Sequence, residues 1–153
     1  MKTLFKIFIS LFFLVDIAKA DLIKPSADLK PLDVLMIQLN SLKNNNNPYR
    51  DAGIAQSWEF AHPINKASTG PLENFTQMIY TDSYNILISH VNNEVTTLKE
   101  SENQLVYKVY VLSKDKEKYY YIWQIEKIEQ EGKLKDCWMT TSVSKPTYLG
   151  KII

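Results

Sequence analysis

The stretch PYRDAGIAQSWEFAHPINKASTGPLENF, from Pro48 to Phe75, gathers helix-start signals, aromatic anchors and most of the uncommon polar residues of the chain into one span. Asp51 is placed to cap a short helix that carries Ile54, Trp58 and Ala61 on one face, weakened by Gly53 and ended by Pro63. Gly70-Pro71-Leu72-Glu73 then reads as a cap, a proline at the first helical position and a glutamate able to reach back to the cap amide. The helix it opens turns Leu72, Phe75 and Ile79 inward. Between the two helices, Asn65, Ser68 and Thr69 fall in an expected loop.

Outward from this span, the two sides of the chain have different periods. Upstream, Pro31 suits a first helical position, and Asp33 sits near the positive end of the helix dipole. Leu32, Leu35, Met36, Leu39 and Leu42 recur at spacings of three and four, which predicts one apolar face. The run Asn44–Asn47 followed by Pro48 stops that helix. Downstream, from about Ile86, the period is two. Leu105, Tyr107, Val109 and Val111 alternate, as do Tyr119, Tyr121, Trp123 and Ile125. Glu94–Glu100 and Asp136–Val143 supply two further strands, joined by short polar turns. Three helices followed by an antiparallel meander predict an α+β domain, its N-terminal helices packed on a curved antiparallel sheet that leaves a pocket at its open end. The expected organisation is an extended lead over 21–30, a single domain over 31–145 and a tail over 146–153.

Composition bounds the rest. The 153 residues are 45% hydrophobic and 12% aromatic, enough apolar material for one core. Lys2 and Lys6, an apolar run from Ile7 to Val15, and Ala18-Lys19-Ala20 match the charged, apolar and small-residue parts of a secretory signal, with cleavage expected after Ala20. The apolar run is short for a membrane span. Removing residues 1–20 takes away three of 18 basic and one of 17 acidic residues, leaving the remainder close to neutral. That balance carries no footprint for nucleic acid and no basic helix for a membrane surface. Lys114, Lys116 and Lys118 are interleaved with Asp115 and Glu117, the pattern of a solvated hairpin tip. With Cys137 as the one cysteine, no intramolecular disulfide forms, and stability must come from packing.

The chain resembles the cone-shaped superfamily named for nuclear transport factor two, in particular an uncharacterised exported branch of it. The resemblance rests on DAGI at Asp51–Ile54, W-x-F-A at Trp58–Ala61, Pro63-x-Asn65, TGPL at Thr69–Leu72 with Phe75, and Cys137-Trp138-Met139-Thr140, and it covers Pro31 to about Val143. It implies a helix-roofed cone. That scaffold hosts isomerases, dehydratases, binding modules and assembly domains. The polar residues of its enzymes are not recognisable here at matching positions, so no catalytic role transfers.

Candidate chemistry is sparse. His62 stands where a helix should end and a loop begin, so its imidazole has a route into a pocket as acid or base, with Asp51 as a candidate carboxylate; the competing reading is a histidine bonded to the helix terminus. Cys137 shares its expected face with Met139, Thr141 and Val143, which favours a small buried residue over a nucleophile. Arg50, the one arginine, either clamps an acidic ligand or pairs internally with Asp51 or Glu59, and proximity favours the pair. Asn74-Phe75-Thr76 matches a glycosylation sequon but falls in a helix whose Phe75 points inward, so its use is not expected. Two histidines and one cysteine form no recognised metal-ligand spacing, and no cofactor motif is present. The leading expectation is an exported, non-enzymatic domain that binds a small, partly apolar ligand through Trp58, His62, Asn65, Thr69 and Phe75. Self-association through Tyr119, Tyr121 and Trp123 is expected if their face of the sheet is exposed. The alternatives are a cavity enzyme using His62 with a carboxylate, and an interaction module with a filled core.

Overall fold

The computed structural model describes residues 21–153, so the expected signal segment lies outside the described residues. Four helices come first: α1 (Pro31–Lys43), α2 (Ala52–Glu59), α3 (Pro63–Thr69) and α4 (Leu72–Ile79), followed by a 3-10 turn at Asn85–Leu87. Five strands follow: β1 (Asn92–Glu100), β2 (Gln104–Leu112), β3 (Glu117–Lys127), β4 (Trp138–Val143) and β5 (Thr147–Lys151). The fold is α+β, with the helices preceding one antiparallel sheet. Its order is β1-β2-β3, and β4 and β5 share the far edge of β3: β4 pairs with Trp123–Lys127 and β5 with Glu117–Tyr120.

Helix α1 starts at Pro31, as its sequence predicts, but its buried face is rotated. Val34, Leu35, Gln38, Leu39 and Leu42 are buried, whereas Leu32 is 48% exposed. A first-turn residue precedes the point at which α1 meets the sheet, so helical spacing alone does not bury it. The Asp51 cap also needs correction. Asp51 precedes α2 in the left-handed region, with φ 63°, and makes no side-chain cap bond. Its carboxylate instead accepts from Asn45 Nδ2 at 3.0 Å and from the Tyr80 hydroxyl, which ties the end of α1 to the end of α4. Arg50 pairs with it at 3.6 Å from a largely exposed position, while Glu59 pairs with Lys24 at 3.0 Å.

The loop expected between α2 and α4 is a helix. Pro63 occupies the first turn of α3, and His62 Nδ1 accepts from the Ile64 amide at 3.1 Å, a cap supplied by an imidazole in place of the usual short polar side chain. Because Gly70 terminates α3, donating its N–H to the Lys66 carbonyl at 2.9 Å, it is not free to cap α4. Helix α4 therefore begins at Leu72 with no side-chain cap, and the expected Glu73 capping box is not formed.

On the sheet, alternation places Tyr107, Val109 and Val111 of β2 and Tyr121, Trp123 and Ile125 of β3 on the face beneath the helices. Tyr121 and Trp123 are thus core residues. The self-association patch expected at Tyr119, Tyr121 and Trp123 is covered by the protein itself, with Tyr119 half-buried at its margin. The opposite face carries Lys108 between Tyr110 and Tyr120, its Nζ lying 4.1 Å from the Tyr120 ring centre. In β4 the expected parity is broken. Ser142 pairs with Gln124 and Thr140 with Ile125, so Thr141 is an extra residue. This bulge reverses the parity of the strand: Met139 lies on the outer side with Cys137 and Ile128, while Thr140 and Val143 turn toward the helices. The expected tail is also part of the sheet, since β5 pairs with β3 and Tyr148 packs on Tyr119 with ring centres 5.2 Å apart.

Candidate functional site

Where α1, α2, α3 and α4 meet the inner face of β3 and β4, the core opens into a cavity of about 210 Å³. Its position follows from local sequence. The segment Phe60–His62 runs along the free edge of β4: the Thr140 amide donates to the Phe60 carbonyl and the His62 amide to the Thr140 carbonyl, both at 2.8 Å. That pairing fixes where α3 begins and holds it beside the sheet. Asn65 Nδ2 then donates to the Thr140 carbonyl at 3.3 Å, and the Thr69 hydroxyl donates to the Asn65 carbonyl at 2.8 Å. Phe75 supplies an apolar wall. Behind it stands Trp58, whose ring centre lies 4.9 Å from that of Phe75.

The floor is polar and neutral. Trp123 Nε1 donates to Thr140 Oγ1 at 3.0 Å, and Thr140 Oγ1 donates to Gln38 Oε1 at 2.6 Å. Gln38 Nε2 in turn donates to the Ser57 carbonyl at 3.0 Å. An indole nitrogen can only donate and the Ser57 carbonyl can only accept, so Gln38 turns Nε2 to Ser57 and Oε1 to Thr140, whose one hydrogen it receives, and the direction of the chain is fixed. The chain ties α1 and α2 to β3 and β4 at a buried point, where leaving either partner unpaired costs more than the bond itself contributes.

Of the five sequence-derived ligand-binding candidates, Asn65, Thr69 and Phe75 line the cavity. Trp58 and His62 do not. Trp58 packs across Gly70, where an added Cβ would lie 2.9 Å from the indole, and beneath Lys66 Nζ at 5.3 Å. His62 caps α3. Burial lowers its pKa, with Glu126 opposing, so the neutral imidazole that accepts from Ile64 is favoured. The two weak catalytic candidates are not brought together: His62 is bonded to Ile64, whereas Asp51 is bonded to Asn45 and Tyr80.

No family model, curated protein or solved structure matches this chain. The chemistry of the cavity therefore rests on its own side chains, none of which is charged. Among the described residues no three His, Cys, Asp or Glu side chains converge to hold a metal ion, and no helix is long and apolar enough to cross a membrane. Cys137 is buried away from the cavity with Ile128 and Met139, and burial pushes its thiol pKa up, against nucleophilic use.

Gln38, Ser57 and Thr140 are the site residues that sequence reasoning missed. Gln38 had a signal, standing three residues after Leu35 and four before Leu42 on an apolar helix face, where a polar residue needs a partner. Thr140 had none, because the bulge that turns it inward depends on how β4 pairs with β3.

Proposed function

We propose that this protein is an exported, non-enzymatic member of the nuclear-transport-factor-two-like cone superfamily that holds a small, uncharged, partly apolar ligand in the cavity between α1–α4 and β3–β4. The observation that carries this reading is a concavity of about 210 Å³ that joins apolar walls such as Leu42, Phe75 and Ile79 to a neutral polar floor. Such a combination suits ligand binding, in which apolar surface supplies affinity and a few polar groups set orientation. An apolar cavity of about 150 Å³ accepts benzene, so this one has room for a ring with a short substituent. Export rests on the charge and hydropathy pattern of residues 1–20. Membership of the superfamily is supported by the order of helices before an antiparallel sheet.

Catalysis has less support, since among the described residues no carboxylate is hydrogen-bonded to His62, and the imidazole is a helix cap outside the cavity. The reading is tested by titrating benzene into labelled protein and following the Trp123 indole N–H by NMR. A saturable shift is expected, abolished by Thr69→Phe at the part-exposed lip of the cavity. A wild-type spectrum that does not respond at saturating benzene would overturn it.

A further inference from the structure

A count of hydrogens and lone pairs at the cavity floor says more about what fits there, and it rests on the reading of the cavity as a ligand site. The Trp123 N–H is satisfied by Thr140 Oγ1, the Thr140 hydrogen by Gln38 Oε1, and one Gln38 Nε2 hydrogen by the Ser57 carbonyl. A primary amide has two N–H donors. The second one on Gln38 has no acceptor among the described residues. The Ser57 hydroxyl likewise makes no hydrogen bond among them. Both residues line the cavity and are almost fully buried, Gln38 at 2% exposure and Ser57 at 3%. No fully buried side-chain nitrogen or oxygen among the described residues lacks a partner, so the unbonded Ser57 hydroxyl is one that solvent can still reach. With Gln38 Nε2 bonded to the Ser57 carbonyl, both residues present their polar groups at one end of an apolar hollow.

We infer that the ligand is a small neutral carbonyl compound whose oxygen accepts from Gln38 Nε2 and Ser57 Oγ while its apolar body lies against Phe75 and Ile79. A carbonyl oxygen offers two lone pairs to two donors and brings no hydrogen that needs a partner of its own. An ammonium could donate to Ser57 Oγ but offers no lone pair to the Gln38 Nε2 hydrogen. A carboxylate would pair with both groups but would lose its hydration with no cation among the lining residues to compensate. An alcohol brings a hydrogen of its own: if that hydrogen goes to Ser57 Oγ the Ser57 hydrogen is left over, and if Ser57 donates to the alcohol the alcohol's hydrogen is left over, so one hydrogen at this end stays unmatched. A hydrocarbon would fill the hollow and leave both donors unmatched.

The test is a matched panel of cyclohexanone, cyclohexanol, methylenecyclohexane, cyclohexylamine and cyclohexanecarboxylate, titrated into the full chain and followed at the Trp123 indole N–H. Cyclohexanone is expected to bind about tenfold more tightly than methylenecyclohexane, the usual scale for two matched donors in a buried site. The amine and the carboxylate should bind more weakly than either. Ser57→Ala, which leaves the Gln38–Thr140–Trp123 chain intact, should reduce the ketone preference several-fold. Gln38→Met should abolish it; if that variant does not fold, Ser57→Ala alone decides. Equal binding of ketone and alkene, equal binding of ketone and alcohol, or a ketone preference unchanged in Ser57→Ala would overturn the carbonyl assignment while leaving cavity binding intact. Binding of no probe at all would instead overturn the cavity reading beneath it.

Discussion

Thr140 uses every polar atom it has. Its amide, carbonyl and hydroxyl are all engaged with residues of Phe60–Asn65, Gln38 and Trp123. Thr140→Val keeps the shape and removes the hydroxyl, leaving the Trp123 N–H and the Gln38 carbonyl oxygen buried without partners. The expected loss is about 2 to 4 kcal/mol in urea denaturation with an unchanged m value; a loss under about 0.5 kcal/mol would contradict the bonded chain. His90 makes a second residue-scale prediction. Its ring is buried, with Nδ1 at 2.8 Å from the Leu87 carbonyl and Nε2 at 2.8 Å from Asn93 Nδ2. The carbonyl can only accept and the amide nitrogen can only donate, so the imidazole is neutral with its hydrogen on Nδ1. Burial lowers its pKa, the Leu87 carbonyl opposes this, and Lys43 adds to the lowering. The unfolded chain therefore takes up the proton first as pH falls. Stability is fully present above the ordinary histidine value and is lost as pH falls through the depressed folded value. The slope of stability between pH 7 and 5 should flatten in His90→Gln, measured by urea denaturation across that range. A slope equal to wild type would mean that His90 does not carry it. Gln38 was legible in part as a polar break in an apolar stripe. His90 was not, because nothing near it in the chain announces that Leu87 and Asn93 will close around the ring.

At the scale of elements, the contact between α1 and α2 depends on Gly53. A Cβ there would lie 1.9 Å from the Ser41 carbonyl oxygen and 2.8 Å from the Asn45 Cα, both backbone atoms. Propensity alone favours Gly53→Ala by up to about 1 kcal/mol. The clash is with backbone that can yield only if the helices separate, so overpacking should prevail and the variant should lose at least about 2 kcal/mol net. A variant as stable as wild type in thermal denaturation would show that the two helices can part freely. The sequence marked Gly53 as a helix weakness, which is the local half of its role. Its necessity comes from the neighbouring helix. The same split explains α3. Pro63 was read as the end of α2, but α2 already ends at Glu59 and Ala61 lies outside it in the segment that bridges to Thr140, while Pro63 takes the first turn of the next helix. What selects the helix is the pairing of Phe60–His62 with β4, which aims His62 to cap it. In β4, alternation predicted Thr141 and Val143 beside Met139, and one inserted residue separated them.

For the molecule as a whole, the change from helical period to strand period near Ile86 announced the α+β class, since each period states which side chains share a face whatever they come to face. The sheet was underestimated by one strand. Thr147–Lys151 is short, lies at an edge and is mostly exposed, so it has little hydrophobic pattern to reveal it. It nevertheless covers Tyr119 and completes the edge of β3 that β4 leaves open. Truncation after Lys145 should lower stability by about 1 to 3 kcal/mol without collapsing the cavity, which borrows no residue from β5. Thermal denaturation and benzene titration of the truncated chain measure the two halves of that statement; lost benzene binding in a folded truncated chain would refute the second.

The amino-acid order by itself determined the centre of the α1 apolar stripe at Leu35, Leu39 and Leu42, the inward parity of β2 and β3 and the absence of an intramolecular disulfide. These follow from backbone geometry and residue type, and distant neighbours do not alter them. Only the tertiary structure decided that Thr140 faces the helices, that Gln38 receives its hydrogen from 102 positions away and that an uncharged hollow lies between them. A bulge is a mismatch between two strands, and a cavity is space shared by several elements. Neither is a property of any single stretch of chain.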